Sequence, residues 1–149
     1  FISQPYIYIA NNYDNLDTLI KELPKHSFGL KGLFPLWALT GIKFIYPKIV
    51  DFPIFVNKTE LTTVTLFYDA FYDFGIAGVA VFSTGLGCIG YFFEKIIRST
   101  RHATFYIIYA QVFIYLALSF FTTWFSNPAT WFYFIVTMSI FFICEQKGR

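Results

Sequence analysis

Charged side chains are scarce in this 149-residue chain, because Asp, Glu, Lys and Arg together make up only 13% of it. Soluble domains carry about 25%. Hydrophobic residues reach 56%, aromatic residues 23%, and the mean hydropathy is +0.55. This composition excludes a basic nucleic-acid-binding domain, a disordered tail and an ordinary cytosolic enzyme, and it indicates a membrane protein. The net charge of +2 is too small to indicate an anionic partner, and no nucleic acid is expected.

Cysteine is rarer still, with two residues in the chain. Cys88 and Cys144 lie far apart in apolar runs, with neither a CxxC pair nor a histidine at metal-ligand spacing. Packing as small apolar residues is the favoured interpretation, and a disulfide, a metal site or lipidation is the alternative. No metal and no cofactor are predicted.

The start of the chain lacks the marks of a signal peptide. It begins at Phe1 without a methionine, a basic n-region or a small-residue cleavage site. We therefore expect a C-terminal fragment of a longer protein, whose upstream membrane helices pack against this part.

Two long runs contain no charged residue. The first covers 74–93, and the second runs from Ala103 to Cys144. A spanning helix needs about 20 apolar residues, and Ser126-Asn127-Pro128 is a turn signal inside the second run. The sequence predicts an all-α membrane protein with three transmembrane helices, at about 74–93, 103–125 and 128–145.

The short loops give the orientation. The loop 94–102 and the C-terminus carry basic residues, whereas the hairpin at Asn127 carries none. Lysine and arginine accumulate in cytoplasmic loops. We therefore expect a multi-pass protein with its C-terminus in the cytoplasm, and with Asn127 and residues 1–72 outside.

The extracytoplasmic region 1–72 contains one apolar stretch, between Lys31 and Lys43. It is too short to span the bilayer, and runs of that length are more often re-entrant or interfacial. We predict such a helix at about 30–46. A second, amphipathic segment covers 64–73 and leads into the membrane.

The first spanning segment is rich in glycine. Five residues fall on one of its faces: Gly75, Gly78, Phe82, Gly85 and Ile89. Small residues allow another helix to approach closely, so helix packing is the favoured role of this face. A wall beside a lipid-linked substrate is the alternative.

Candidate catalytic residues precede that segment. Asp69 and Asp73 are four residues apart, as are Tyr68 and Tyr72, so each pair shares a helix face. The carboxylates are candidates for a base or for sugar hydrogen bonds, and the tyrosines for sugar binding. The alternatives are a helix-start signal at Asp73 and an interfacial helix with tyrosines at the headgroups.

Three outer cations are candidate ligands of a pyrophosphate, because cationic side chains stabilise departing phosphate charge. They are His26, Lys31 and Lys43. Snorkelling at the lipid boundary explains the two lysines equally well.

The order of these features resembles the C-terminal part of oligosaccharide repeat-unit polymerases, the O-antigen and capsule polymerases. A tyrosine-rich start, an apolar stretch, a threonine and an aromatic segment precede an Asp-Phe-Gly-x-x-Gly motif that opens a membrane helix. The residues that carry the resemblance are Tyr6–Asn12, Thr65, Phe71-Tyr72, Asp73-Phe74-Gly75 and Gly78.

The resemblance implies an enzyme of the bacterial inner membrane that polymerises polyprenyl-diphosphate-linked oligosaccharides by glycosyl transfer at the outer face. Membrane lipid and other polysaccharide assembly proteins are the further partners it implies. One departure is that residues 1–72 contain no arginine, and lysine is a poorer bidentate partner for a pyrophosphate. The alternatives are a flippase part or scaffold, and a glycan ligase.

Overall fold

A computed structural model describes residues 3–100, 103–120 and 122–147 of the chain. These residues form six α-helices and no strand, which confirms the all-α prediction for the described part of the chain. The helices are α1 (Ser3–Glu22), α2 (Phe34–Leu39), α3 (Ile42–Ile45), α4 (Phe67–Ser99), α5 (Ala103–Ala117) and α6 (Pro128–Lys147).

Among the described helices, α4 is the one that is both long enough and apolar enough to cross a membrane. Its 33 residues extend over about 50 Å at the rise of an α-helix. The 15 residues of α5 cover about 22 Å, less than the about 30 Å of hydrocarbon. α5 ends early because the chain turns after Ala117, where the Ser119 carbonyl accepts a hydrogen bond from the Leu66 N–H at 3.1 Å.

α4 unites two segments that the sequence suggests as separate. It begins at Phe67 instead of Asp73, and its backbone departs from helical angles at Phe74 (φ −136°, ψ 15°) and Gly75 (φ 62°, ψ −147°). Glycine tolerates this positive φ because it lacks a Cβ. The amphipathic segment therefore becomes the first part of α4, and a kink separates it from the apolar part.

The segment expected as one helix over 30–46 is divided. α2 and α3 are separated by Gly41, whose left-handed φ of 76° interrupts the helical path. A 3-10 turn follows at Pro47–Ile49.

α1 holds the non-helical segment that leads to α4. The buried Asn15 amide donates to the carbonyls of Leu61 (2.9 Å) and Thr63 (2.8 Å), and its oxygen accepts from the Asn57 N–H at 2.9 Å. A small core of Leu19, Tyr68 and Tyr72 joins α1 to α4. These contacts fix where the first turns of α4 lie.

Candidate functional site

A cavity of about 520 Å³ lies between α4 and the chain that joins α5 to α6. Ligand pockets span about 300–1,000 Å³ and are mostly apolar, with a few polar groups. This cavity has that composition, since its polar side chains are Asp69, Asp73, Thr123 and Ser126. The remaining lining residues are Gly32, Leu66, Ala70, Phe74, Ala77, Gly78, Val81, Phe82, Phe125 and Trp131.

The lining residues that belong to α4 come from both sides of the kink. Asp69 and Asp73 precede the kink, whereas Ala77, Val81 and Phe82 follow it. Irregular backbone at membrane depth is tolerated where it lines a cavity or is buried in protein. The cavity therefore combines two carboxylates from before the kink with a mostly apolar lining.

Asp73 binds the loop that connects α1 to α2. Its Oδ1 accepts hydrogen bonds from the Ser27 hydroxyl and from the Lys31 N–H (3.1 Å), and its Oδ2 accepts one from the Gly32 N–H at 2.7 Å. The side chain is buried. Because three donors of the loop bind this one side chain, Asp73 anchors the loop.

The same loop also forms hydrogen bonds with the backbone of α4 directly before the kink. The Ser27 N–H donates to the Tyr72 carbonyl (3.2 Å), and the Phe28 N–H donates to the Asp73 carbonyl (3.1 Å). His26 Nδ1 lies 3.2 Å from the same Tyr72 oxygen, which requires the tautomer protonated at Nδ1. His26 therefore contacts the backbone of α4 next to the kink.

Asp69 is buried beside the cavity and pairs with Lys31, whose Nζ is 3.6 Å from Oδ1. The side chains of Thr123 and Ser126 interact with the same carboxylate. A buried charge requires such partners because desolvation alone is costly. Asp69 is thus held by one cation and two hydroxyl-bearing residues at the cavity wall.

Lys31 pairs with Asp69 but does not itself line the cavity. Its ammonium is 4.4 Å from the ring centroid of Tyr72, 5.2 Å from that of Tyr68 and 5.7 Å from that of Phe52, distances at which cations and aromatic rings attract each other. Burial lowers the pKa of the Lys31 ammonium, and the charge of Asp69 opposes this effect. Lys31 is therefore a structural cation of the site.

The two candidate tyrosines belong to the core. The Tyr68 hydroxyl donates to the Phe55 carbonyl (2.9 Å) and accepts from the Phe55 N–H (2.8 Å). Neither Tyr68 nor Tyr72 lines the cavity. The aromatic rings that do line it belong to Phe74, Phe82, Phe125 and Trp131.

The structure thus brings six of the seven candidate residues together: His26, Lys31, Tyr68, Asp69, Tyr72 and Asp73. Lys43 lies apart on α3, with its ammonium 4.9 Å from the centroid of the neighbouring Phe44 ring.

Sequence reasoning missed Ser27, Gly32, Thr123, Ser126 and Trp131 as site residues. The run from Ser27 to Gly32 contains two glycines, a composition suited to a turn whose N–H groups bind an anion. Thr123 and Ser126 are hydroxyl residues in a long apolar run, which is a weaker signal.

The sequence matches no protein-family model, and no curated protein or solved structure is significantly similar to it.

Proposed function

We propose that the chain is part of a membrane polymerase that joins polyprenyl-diphosphate-linked oligosaccharide repeat units into O-antigen or capsular polysaccharide. The observation that carries this proposal is the cavity at the kink of α4, where Asp69 and Asp73 lie among mostly apolar residues of a helix long and apolar enough to span a membrane. A sugar needs hydrogen-bonding groups for its hydroxyls and apolar surface for its ring faces, and this cavity supplies both.

Asp69 is the proposed base. It takes the proton of a hydroxyl on the acceptor repeat unit while that oxygen attacks the anomeric carbon of the growing chain. The bond between this carbon and the diphosphate breaks, and polyprenyl diphosphate leaves with the bonding electron pair. A positioned base of this kind contributes about 10²–10⁴-fold to a rate.

Asp73 is the proposed positioning residue. Its hydrogen bonds to Ser27, Lys31 and Gly32 hold the loop against the kink. That loop carries Lys31, the cation paired with Asp69. Asp73 therefore acts on the reaction through the placement of Asp69.

The donor diphosphate is proposed to bind outside this cavity. None of the described residues that line the cavity is lysine, arginine or histidine, and a diphosphate requires cationic partners. The cations that bind it are therefore proposed to lie outside this lining.

The proposed topology has three spans, with the kink and the hairpin at the outer face and a re-entrant or interfacial segment formed by α2 and α3. The cavity supports it, because its lining joins the first turns of α4 to Phe125, Ser126 and Trp131 beside the hairpin. The basic loop lies at the other end of α4, where Arg98 pairs with Glu94 at 2.5 Å. Positive residues on that side favour a cytoplasmic location.

The test is polymer length in bacteria that depend on this protein. Asp69→Asn is expected to abolish the polymer ladder and leave single repeat units, because an amide cannot accept the proton. Asp73→Asn is expected to shorten the ladder, and Glu94→Gln, at the exposed end of α4, to leave it unchanged. All three proteins are quantified in membranes, so that loss of protein is separated from loss of reaction.

A non-catalytic membrane component, such as a flippase part or scaffold, is the second candidate. It is favoured by the use of Asp73, Lys31 and Tyr68 in internal contacts. A normal ladder from a normally abundant Asp69→Asn protein selects this candidate. A glycan ligase is distinguished by normal polymer length with loss of transfer to the acceptor.

A further inference from the structure

We infer that the cavity at the kink of α4 is a subsite for a neutral acceptor sugar and that it excludes acidic sugars such as uronic acids. That the sugar is the acceptor of the reaction rests on the proposed function. The charge selectivity itself rests on the geometry of the cavity.

The charged groups that face the cavity are carboxylates. Asp69 and Asp73 both line it, whereas the Lys31 ammonium is enclosed by Phe52, Tyr68 and Tyr72, none of which is a lining residue. Counted as formal charges, two carboxylates and one ammonium leave one negative charge in excess, and the carboxylates are the groups that line the cavity.

Binding of an anion in this cavity is unfavourable. Most of the lining is apolar, and charge interactions are stronger in such surroundings than in water. A sugar carboxylate close to Asp69 or Asp73 meets like charge, and no described lining residue is a cation that compensates it. A neutral sugar instead donates its hydroxyls to the carboxylates.

The aromatic lining of the cavity suits the shape of a sugar ring. Phe74, Phe125 and Trp131 contribute rigid aromatic surface, which supplies large apolar contact area. A sugar ring has apolar faces and hydroxyl edges, so it matches a cavity that offers both aromatic surface and carboxylates. The diphosphate of the same acceptor molecule lies at the opposite end of its oligosaccharide, away from the carboxylates.

The experiment compares octyl β-glucoside with octyl β-glucuronide, which differ in whether C6 carries an alcohol or a carboxylate. The full chain is placed in nanodiscs of phosphatidylcholine. Its Trp131 fluorescence is followed in a Trp37→Phe/Trp124→Phe background, because Trp131 is the tryptophan that lines the cavity. The two ligands are compared at equal mole fractions partitioned into the bilayer.

We expect a saturable signal with the glucoside and at least about tenfold weaker binding of the glucuronide, a difference well within the reach of one charge interaction. In Asp69→Asn the preference is expected to shrink severalfold, because one of the repelling charges is gone. A purely structural role of Asp69 does not predict this change in preference.

A matched pair of variants tests the location. Ala77 lines the cavity, whereas the exposed Ala80 on the same helix does not. Ala77→Phe is expected to abolish the glucoside signal and Ala80→Phe to preserve it, with helicity checked by circular dichroism in both.

Equal or tighter binding of the glucuronide overturns the inference, as does the absence of a saturable glucoside signal in the folded protein. Failure of the proposed function has a different signature. In that case Asp69→Asn makes a normal polymer ladder while the preference for the glucoside persists in the unmodified chain.

Discussion

At the scale of single residues, Lys31 has two roles that depend on each other. Its backbone N–H binds Asp73, and its side-chain ammonium pairs with Asp69. The side chains of Lys31 and Asp69 are 13% and 10% exposed, so both charges are largely removed from water and depend on each other. Removing one member of a buried pair leaves the other uncompensated.

Lys31→Met is therefore expected to lower the free energy of unfolding by about 3–5 kcal/mol. Unfolding of the purified protein in a mixed-detergent titration measures this loss. Lys48→Met is the control, because Lys48 is exposed and its loss is expected to have little effect. Adding Asp69→Leu to Lys31→Met is expected to restore part of the stability, and a double variant less stable than the single one contradicts the pairing.

Asp69 and Asp73 line the same cavity, as their spacing of four allows, because residues four apart share a helix face. Their partners Ser27, Lys31 and Gly32 are about forty positions away in the sequence, and helical periodicity carries no information about such contacts. The aromatic pair illustrates the same limit, since Tyr68 and Tyr72 lie in the core behind the cavity and not in its wall.

At the scale of elements, the kink of α4 determines where the site lies. Two glycines permit it. Gly75 takes the positive φ, and Gly78 allows the two parts of the helix to approach, since a Cβ there would clash with the Ala70 carbonyl oxygen and lie 2.8 Å from the Phe74 Cβ. The glycine face was predicted to pack against another helix. At Gly85 an added Cβ would meet no atom within 4 Å.

Gly78→Ala and Gly85→Ala therefore have opposite expected effects on stability. The first forces the kink apart and is expected to cost about 1–3 kcal/mol, as overpacking does. The second is expected to stabilise the helix by about 0.5–1 kcal/mol, because glycine is a poor helix former. Thermal unfolding in detergent measures both, and equal melting temperatures for the two variants contradict the role given to Gly78.

Helix boundaries were the least predictable part of the fold. The apolar run that begins at Ala103 indicates a longer helix than α5, which ends at Ala117. The reason is tertiary, since the turn after α5 provides the Ser119 carbonyl to the Leu66 N–H. Similarly, no sequence pattern indicates the partners of the α1 asparagines. Asn11 and Asn15 bind the segment 57–63, whereas Asn12 donates to the Phe120 carbonyl at 2.7 Å.

At the scale of the whole molecule, the described residues form a helical structure with one long apolar helix and a cavity near its first turns. Composition alone predicts the helical membrane class, because so few charges cannot cover a water-exposed surface. The position of the cavity could not be predicted, since it depends on contacts between the loop 27–32, the kink and the hairpin.

The proposed topology predicts a pattern of cysteine labelling in cells. In a chain whose native Cys88 and Cys144 are replaced by serine, a membrane-impermeant maleimide is expected to reach Asn127→Cys from outside. It is expected not to reach Ser99→Cys, in the basic segment 94–102, until the membrane is permeabilised. The reverse pattern contradicts the outer location of the cavity.

The central claim is that a lipid-linked oligosaccharide binds in the cavity at the kink, and photo-crosslinking tests it most directly. A benzophenone amino acid is placed at Phe82, which lines the cavity, and separately at Ile76, which is 81% exposed on the same helix but outside it. After irradiation of cells fed radiolabelled sugar, we expect labelled glycolipid to be attached at Phe82 at a level several times that at Ile76. Equal labelling at the two positions, or none at Phe82 in folded protein, contradicts the claim.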